Sequence, residues 1–105
     1  MQENISNIEK DIFNVIKTVI DPEVAINIVD LGLIYEVHHH EDMKTIHVIM
    51  TLSARGCPVG DTIIQHVETV VSANYPTYSV KVDLVWEPQW NPSMITPEGK
   101  EALNQ

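Results

Sequence analysis

Residues 46–71 read IHVIMTLSARGCPVGDTIIQHVETVV, and a change of period inside this stretch decides the fold. Up to Leu52 the apolar positions alternate. Ile46, Val48, Met50 and Leu52 fall on one side, and His47, Ile49 and Thr51 on the other. A two-residue period is that of a half-buried strand. From Val59 onward the spacing becomes three and four. Val59, Ile63, Ile64, Val67, Val70 and Val71 then line one face of a helix over residues 59–74. Pro58 suits the first helical position, where the N–H that it lacks would have no partner. Pro76 closes the helix. The switch falls on SARGCPVGD, which holds the only cysteine of the chain, Cys57.

Upstream, Leu33, Tyr35 and Val37 alternate with Ile34, Glu36 and His38, which predicts an earlier strand. The polar stretch HHHEDMK reads as a turn or long hairpin loop, so the two strands pair antiparallel. Downstream, Val80, Val82, Leu84 and Trp86 alternate with Lys81, Asp83 and Val85, a third strand over 79–86. A right-handed crossover through the helix places it parallel to the second strand. At the start, Ile5, Ile8, Ile12, Val15, Ile16 and Val19 give a helix over 5–20. Ser6 and Glu9 have capping-box spacing, and Pro22 ends the helix. Residues 23–30 read as a linker. In the proline-containing tail, Thr96 and Pro97 mark the start of a last helical turn. Trp86 completes the core, and Trp90 either pins the tail or belongs to a docking segment. The order is α-β-β-α-β. This is an α+β chain, a two-layer sandwich with its helices on one face of a small mixed sheet. Residues 1–105 make a single domain.

Apolar residues are 44% of the chain, enough for one core, and aromatics are few, so Val, Ile and Leu must fill it. Fifteen acidic against six basic residues give a net charge of −9. Such a surface repels phosphate backbones and anionic lipid, which excludes nucleic acid and membrane as expected partners. The N-terminal residues lack a signal-peptide apolar segment, and no apolar run is long enough for a membrane span. One cysteine permits no intramolecular disulfide. The expected location is the cytoplasm, where Cys57 stays a thiol.

A thiol at a helix start meets unpaired N–H groups and a partial positive charge, and both favour the thiolate. Arg55 adds positive charge if it turns inward, and Gly56 lets the backbone bend and approach a ligand. The alternative is a small apolar residue packed under a loop, since free cysteines are often buried. One thiolate cannot hold an iron–sulfur cluster alone. A cluster would have to be shared, across a homodimer or with a partner, and so be transient. Asp21 and Glu23, around Pro22, are either carboxylates near Cys57 or a helix stop with an Asx-type turn. His38, His39 and His40 read as a solvated turn, because neighbours on a strand face opposite sides. His47 and His66 read as outer-face residues of a strand and a helix. Nothing in the sequence places a base beside Cys57, and there is no phosphate-binding glycine motif and no basic patch.

Three stretches resemble a known family: DPEVAINIVDLGLIYEV (21–37), VIMTLSARGCPVGD (48–61) and VDLVWEPQWNPSMITPEGKEAL (82–103). They are similar to the small metal–sulfur cluster biosynthesis proteins. These include SufT-like maturation factors, the PaaD-like subunit of phenylacetate degradation and a subunit of the eukaryotic cytosolic iron–sulfur targeting complex. The resemblance implies an iron–sulfur assembly-type fold and an accessory, non-enzymatic role in maturing iron–sulfur proteins. The implied partners are the assembly machinery and client apoproteins. No cofactor is stably bound, and a cluster passes through transiently. The family's motif cysteine falls on Cys57 and its acidic motif on Asp21 and Glu23. Its WEP segment falls on Trp86, Glu87 and Pro88, with Gln89 where a second proline is common. Cys57 is thus the expected cluster, metal or client contact, with Asp21, Glu23, Thr51, Arg55, Gly56 and Glu87 supporting it. Two other readings stand beside this one: a non-metal interaction module of the PaaD-like kind, and a thiol redox enzyme. The second would lack a resolving cysteine in its own chain.

Overall fold

The computed structural model describes residues 7–53 and 60–103. Cys57, Arg55 and Gly56 therefore lie outside the described residues, as do Ser6 and the predicted helix starts at Ile5, Pro58 and Val59.

Helix α1 spans Asn7–Ile16 and buries Ile12 and Ile16. It ends before Pro22 is reached. Lys17 N–H still reaches the Phe13 carbonyl at 3.0 Å, but Thr18 and Val19 bond three residues back, to Val15 and Ile16. The Thr18 hydroxyl also takes the Val15 carbonyl at 2.7 Å. A tightened last turn satisfies these end carbonyls. Val19, fully buried, then leads into strand β1, Ile20–Asp21. β1 pairs antiparallel with β2, Ile26–Asn27, so the expected linker contains half of a small hairpin and Pro22 lies in its turn.

The main sheet has three strands: β3 (Ile34–His40), β4 (Thr45–Met50) and β5 (Ser79–Leu84). Their order is β3-β4-β5, antiparallel then parallel, as the mixed-sheet expectation required. Helix α2, Gly60–Asn74, makes the crossover and buries Ile63, Val67 and Val71. α1 packs on α2 and β3, and α2 packs on β5, so both helices cover the same sheet face. The inward residues of β4, namely Ile46, Val48 and Met50, are completely buried. Each such side chain contributes roughly 1.5–3 kcal/mol relative to leaving it in water. The tail adds a 3-10 turn, Pro92–Met94, and helix α3, Pro97–Leu103.

One expectation fails plainly. His38, His39 and His40 are not a solvated turn. They continue β3, opposite His47, Ile46 and Thr45, and the turn is only residues 41–44. The reason is that each inward polar group has a partner. The His39 ring sits 2.9 Å from the Tyr78 hydroxyl, and the His39 backbone N–H donates to Glu9 Oε2 at 3.0 Å. A partnered histidine costs a strand little, whereas polarity alone suggested a loop. The expectation that neighbouring histidines face opposite sides does hold for His38 and His39.

Candidate functional site at the carboxyl end of the sheet

β4 and β5 run parallel, and β3 runs against them. Consequently the end of β4, the end of β5 and the start of β3 lie together. Ser53 and Gly60, the described residues that bracket Cys57 in sequence, follow β4 and open α2 at this end. In open sheets the carboxyl ends of strands are where ligands are commonly held.

Backbone and side-chain bonds fasten this end across the whole chain. Thr51 N–H donates to the Leu33 carbonyl and Val85 N–H to the Met50 carbonyl, each at 2.8 Å. Leu33 N–H reaches the Ile28 carbonyl, and Ile28 N–H reaches Val19. The Trp90 indole donates to the Leu31 carbonyl at 2.8 Å across 59 residues of sequence. Tyr35 donates to the Pro88 carbonyl at 2.7 Å. Tyr35 is the extra residue of a register shift between Ile34 and Glu36, a bulge that re-aims its side chain.

Asp30 is the hub of the tail's attachment. Its N–H and carboxylate form a closed exchange with the Asn27 side chain. Its other carboxylate oxygen accepts the Thr96 hydroxyl at 3.0 Å, and its carbonyl accepts Thr96 N–H at 2.8 Å. The Thr96 oxygen in turn accepts Gly99 N–H at 3.1 Å, the N-cap that the sequence predicted for this helix. Two glycines allow the approach. Gly32 has φ +82°, and a Cβ there would fall 2.4 Å from the Met94 carbonyl oxygen. A Cβ on Gly99 would fall 2.9 Å from the Asp30 carbonyl oxygen.

The predicted supporting residues divide into two groups. Asp21 is buried, and its carboxylate accepts Glu23 N–H at 2.8 Å, so the Asx-turn reading describes it. Glu23 is exposed and takes part through its backbone. Thr51 is fully buried, where alternation had put it on the outer face, because β4 ends one residue earlier at Met50. Glu87 is exposed and joined to Pro88 by a cis peptide bond. It borders a groove of about 760 Å³ whose lining includes Ile34, Ile49, Val85, Met94 and Tyr35. The charged groups of that lining are Glu36 and Glu87. Burial raises the Tyr35 pKa and the Glu87 charge adds to this, against an opposing bond with Thr51. Tyr35 is therefore a neutral donor at ordinary pH. Trp86 and Trp90 both pack against the core, and Trp90 pins the tail.

Asp30, Gly32 and Tyr35 were not singled out from the sequence. Asn27 followed by Asp30 is spaced for side chain–backbone turn bonds, and this signal was available.

The three stretches that carried the family resemblance are thus the ones bonded together here. Comparison with known proteins agrees. The iron–sulfur cluster assembly protein family model matches residues 9–84. An "Fe-S protein maturation auxiliary factor" of Porphyromonas gingivalis is 41% identical over 98% of this chain and 97% of its own. SufT of Staphylococcus aureus, with the same designation, is 42% identical over 81% of this chain and 96% of its own. A crystal structure of a domain of unknown function from Bacillus anthracis superposes with a TM-score of 0.85 at 34% identity, covering 91% of each chain. On sequence and fold, the chain belongs to the iron–sulfur cluster assembly protein family.

Proposed function

We propose that this chain is an accessory factor in the maturation of iron–sulfur proteins, and that Cys57 is its contact with the cargo. The observation that carries the reading is near full-length similarity to proteins designated Fe-S protein maturation auxiliary factors. Those relatives are described as auxiliary factors rather than as enzymes, and a non-enzymatic role is proposed here as well.

The chemistry follows from the thiol count. A thiolate is a good ligand for iron, and clusters are generally held by four such ligands. With one cysteine, the chain supplies a single soft ligand, and the others come from a client, an assembly protein or a second copy. Exchange is then intrinsic to the arrangement: the cargo leaves when a client offers a better set. Asp21 is engaged with its own turn and acts by shaping the segment that carries Asp30, not as a free ligand. A second reading is favoured by the groove beside Glu87: an adaptor that holds the client without touching its cargo.

The test is complementation. Cells lacking this protein are supplied with the unaltered chain or with Cys57→Ser, and the activity of cluster-dependent enzymes is measured. The expected result is restored activity with the first and none with the second at equal protein levels. Full restoration by Cys57→Ser removes the carrier role and leaves the adaptor. No restoration by the unaltered chain removes the function altogether.

A further inference from the structure

The outer face of the sheet, which neither α1 nor α2 covers, carries a second group of ligand-type side chains. Strand alternation puts Glu36, His38 and His40 on one side of β3. The register sets His38 opposite His47 on β4, with Lys81 beside His47, and sets Asp83 beside Ile49. The His38 and His47 ring centres are 6.3 Å apart, and those of His38 and His40 are 6.4 Å apart.

Each member of the cross-strand pair is held from behind by a carboxylate. His38 Nε2 lies 2.6 Å from Glu36 Oε1, and His47 Nε2 lies 2.5 Å from Asp83 Oδ2. An ionised carboxylate only accepts, so Nε2 is the protonated nitrogen. In the neutral ring Nδ1 then keeps its lone pair. A histidine bonded to a carboxylate through one nitrogen and free at the other is set up as a metal ligand.

The distances bear on which ion fits. Zinc–nitrogen bonds of 2.0–2.1 Å put two tetrahedral imidazole centres roughly 5 Å apart, so the rings must close by roughly 1 Å. Side-chain exposures of 44% for His38 and 32% for His47 leave room for that turn without disturbing the core. Among the described residues no three ligand-type side chains are grouped to hold an ion, so the chelate is a pair, completed by water. Lys81 opposes a cation here, and Glu36 and Asp83 offset it.

We propose that the outer sheet face binds a divalent first-row transition ion between His38 and His47, with Glu36 and Asp83 orienting the rings. Imidazole pairs suit zinc and nickel, and a two-ligand exposed site exchanges its ion readily. The site stands apart from the cargo role of Cys57 and does not depend on it.

The experiment is titration of the full chain with Zn²⁺, and separately with Ni²⁺, followed by calorimetry and by the histidine ring resonances. One ion per chain is expected, shifting the His38 and His47 signals. His47→Ala should weaken binding at least about tenfold, and Asp83→Asn should lower it by about tenfold through the ring's orientation. His66→Ala and Cys57→Ser should leave it unchanged. Where His47→Ala melts early, Asp83→Asn decides, since it leaves both rings in place. Affinity in the Asp83 and His47 variants equal to that of the unaltered chain, or loss of binding with Cys57→Ser, overturns the proposal.

Discussion

The two ends of the main sheet are built differently. At the carboxyl end of β4 the bonds are long in sequence: Tyr35 to Pro88 spans 53 residues and Thr96 to Asp30 spans 66. They rest on backbone groups and on two glycines with no room for a side chain. At the opposite end, around the 41–44 turn, the bonds join exposed charged side chains to one another and to the half-buried Tyr75 and Tyr78. Lys44 pairs with Glu41 at 3.0 Å, Tyr78 donates to Glu41 at 2.7 Å, and Tyr75 donates to Asp11. Exposed pairs of this kind add little to stability. The contrast teaches where the fold is constrained: at the end where β4 stops and α2 begins.

The sharpest way to break that contrast is Gly32→Ala. A left-handed backbone costs a non-glycine residue about 1–2 kcal/mol, and the clash with Met94 adds to it, so a loss of roughly 2–5 kcal/mol is expected. Urea denaturation measures it. A loss under about 1 kcal/mol would mean that the tail is not clasped as described.

Thr96→Ala is a smaller cut at the same end. It removes the cap of α3 and leaves an Asp30 oxygen without that donor, for an expected loss of about 1–2 kcal/mol. Thr96→Ser retains the hydroxyl and should recover most of it. Equal effects of the two substitutions would assign the loss to the methyl group instead.

The opposite end offers a pH signature with a small amplitude. Burial, with the Asp11 carboxylate as a further cause, pushes the Tyr75 pKa up to about 12. The unfolded value is near 10. The folded state therefore holds the phenol proton more tightly. Its contribution is full below about pH 10 and disappears as pH rises towards about 12. Tyr75→Phe should flatten that alkaline decline in the denaturation midpoint. An identical pH profile for the two proteins would contradict the assigned environment.

The same contrast explains what the sequence made legible. The strand-to-helix switch in residues 46–71 was readable because β4 and α2 each bury one face, and burial imposes a period. The two-residue strands β1 and β2 are too short to carry one. The histidines of β3 read as a loop because the partners of His39, Glu9 and Tyr78, come from distant parts of the chain. In the tail, the Thr96 cap is local and was visible. Its attachment to Asp30 is not local, and the need for glycine at residues 32 and 99 appears only once the two segments meet. Of the site, Cys57 was singled out by its place between two periods, and its family role came from resemblance. Thr51 and Asp21 were named without their burial being evident.

The most direct test of the account concerns the sulfur itself. Alkylation of Cys57 in the folded chain, followed as rate against pH, yields the thiol pKa and its accessibility together. The account predicts ready reaction with a midpoint below about 8.5, the value of an unperturbed thiol. A thiol that reacts only on unfolding, or that titrates above that value, would contradict it.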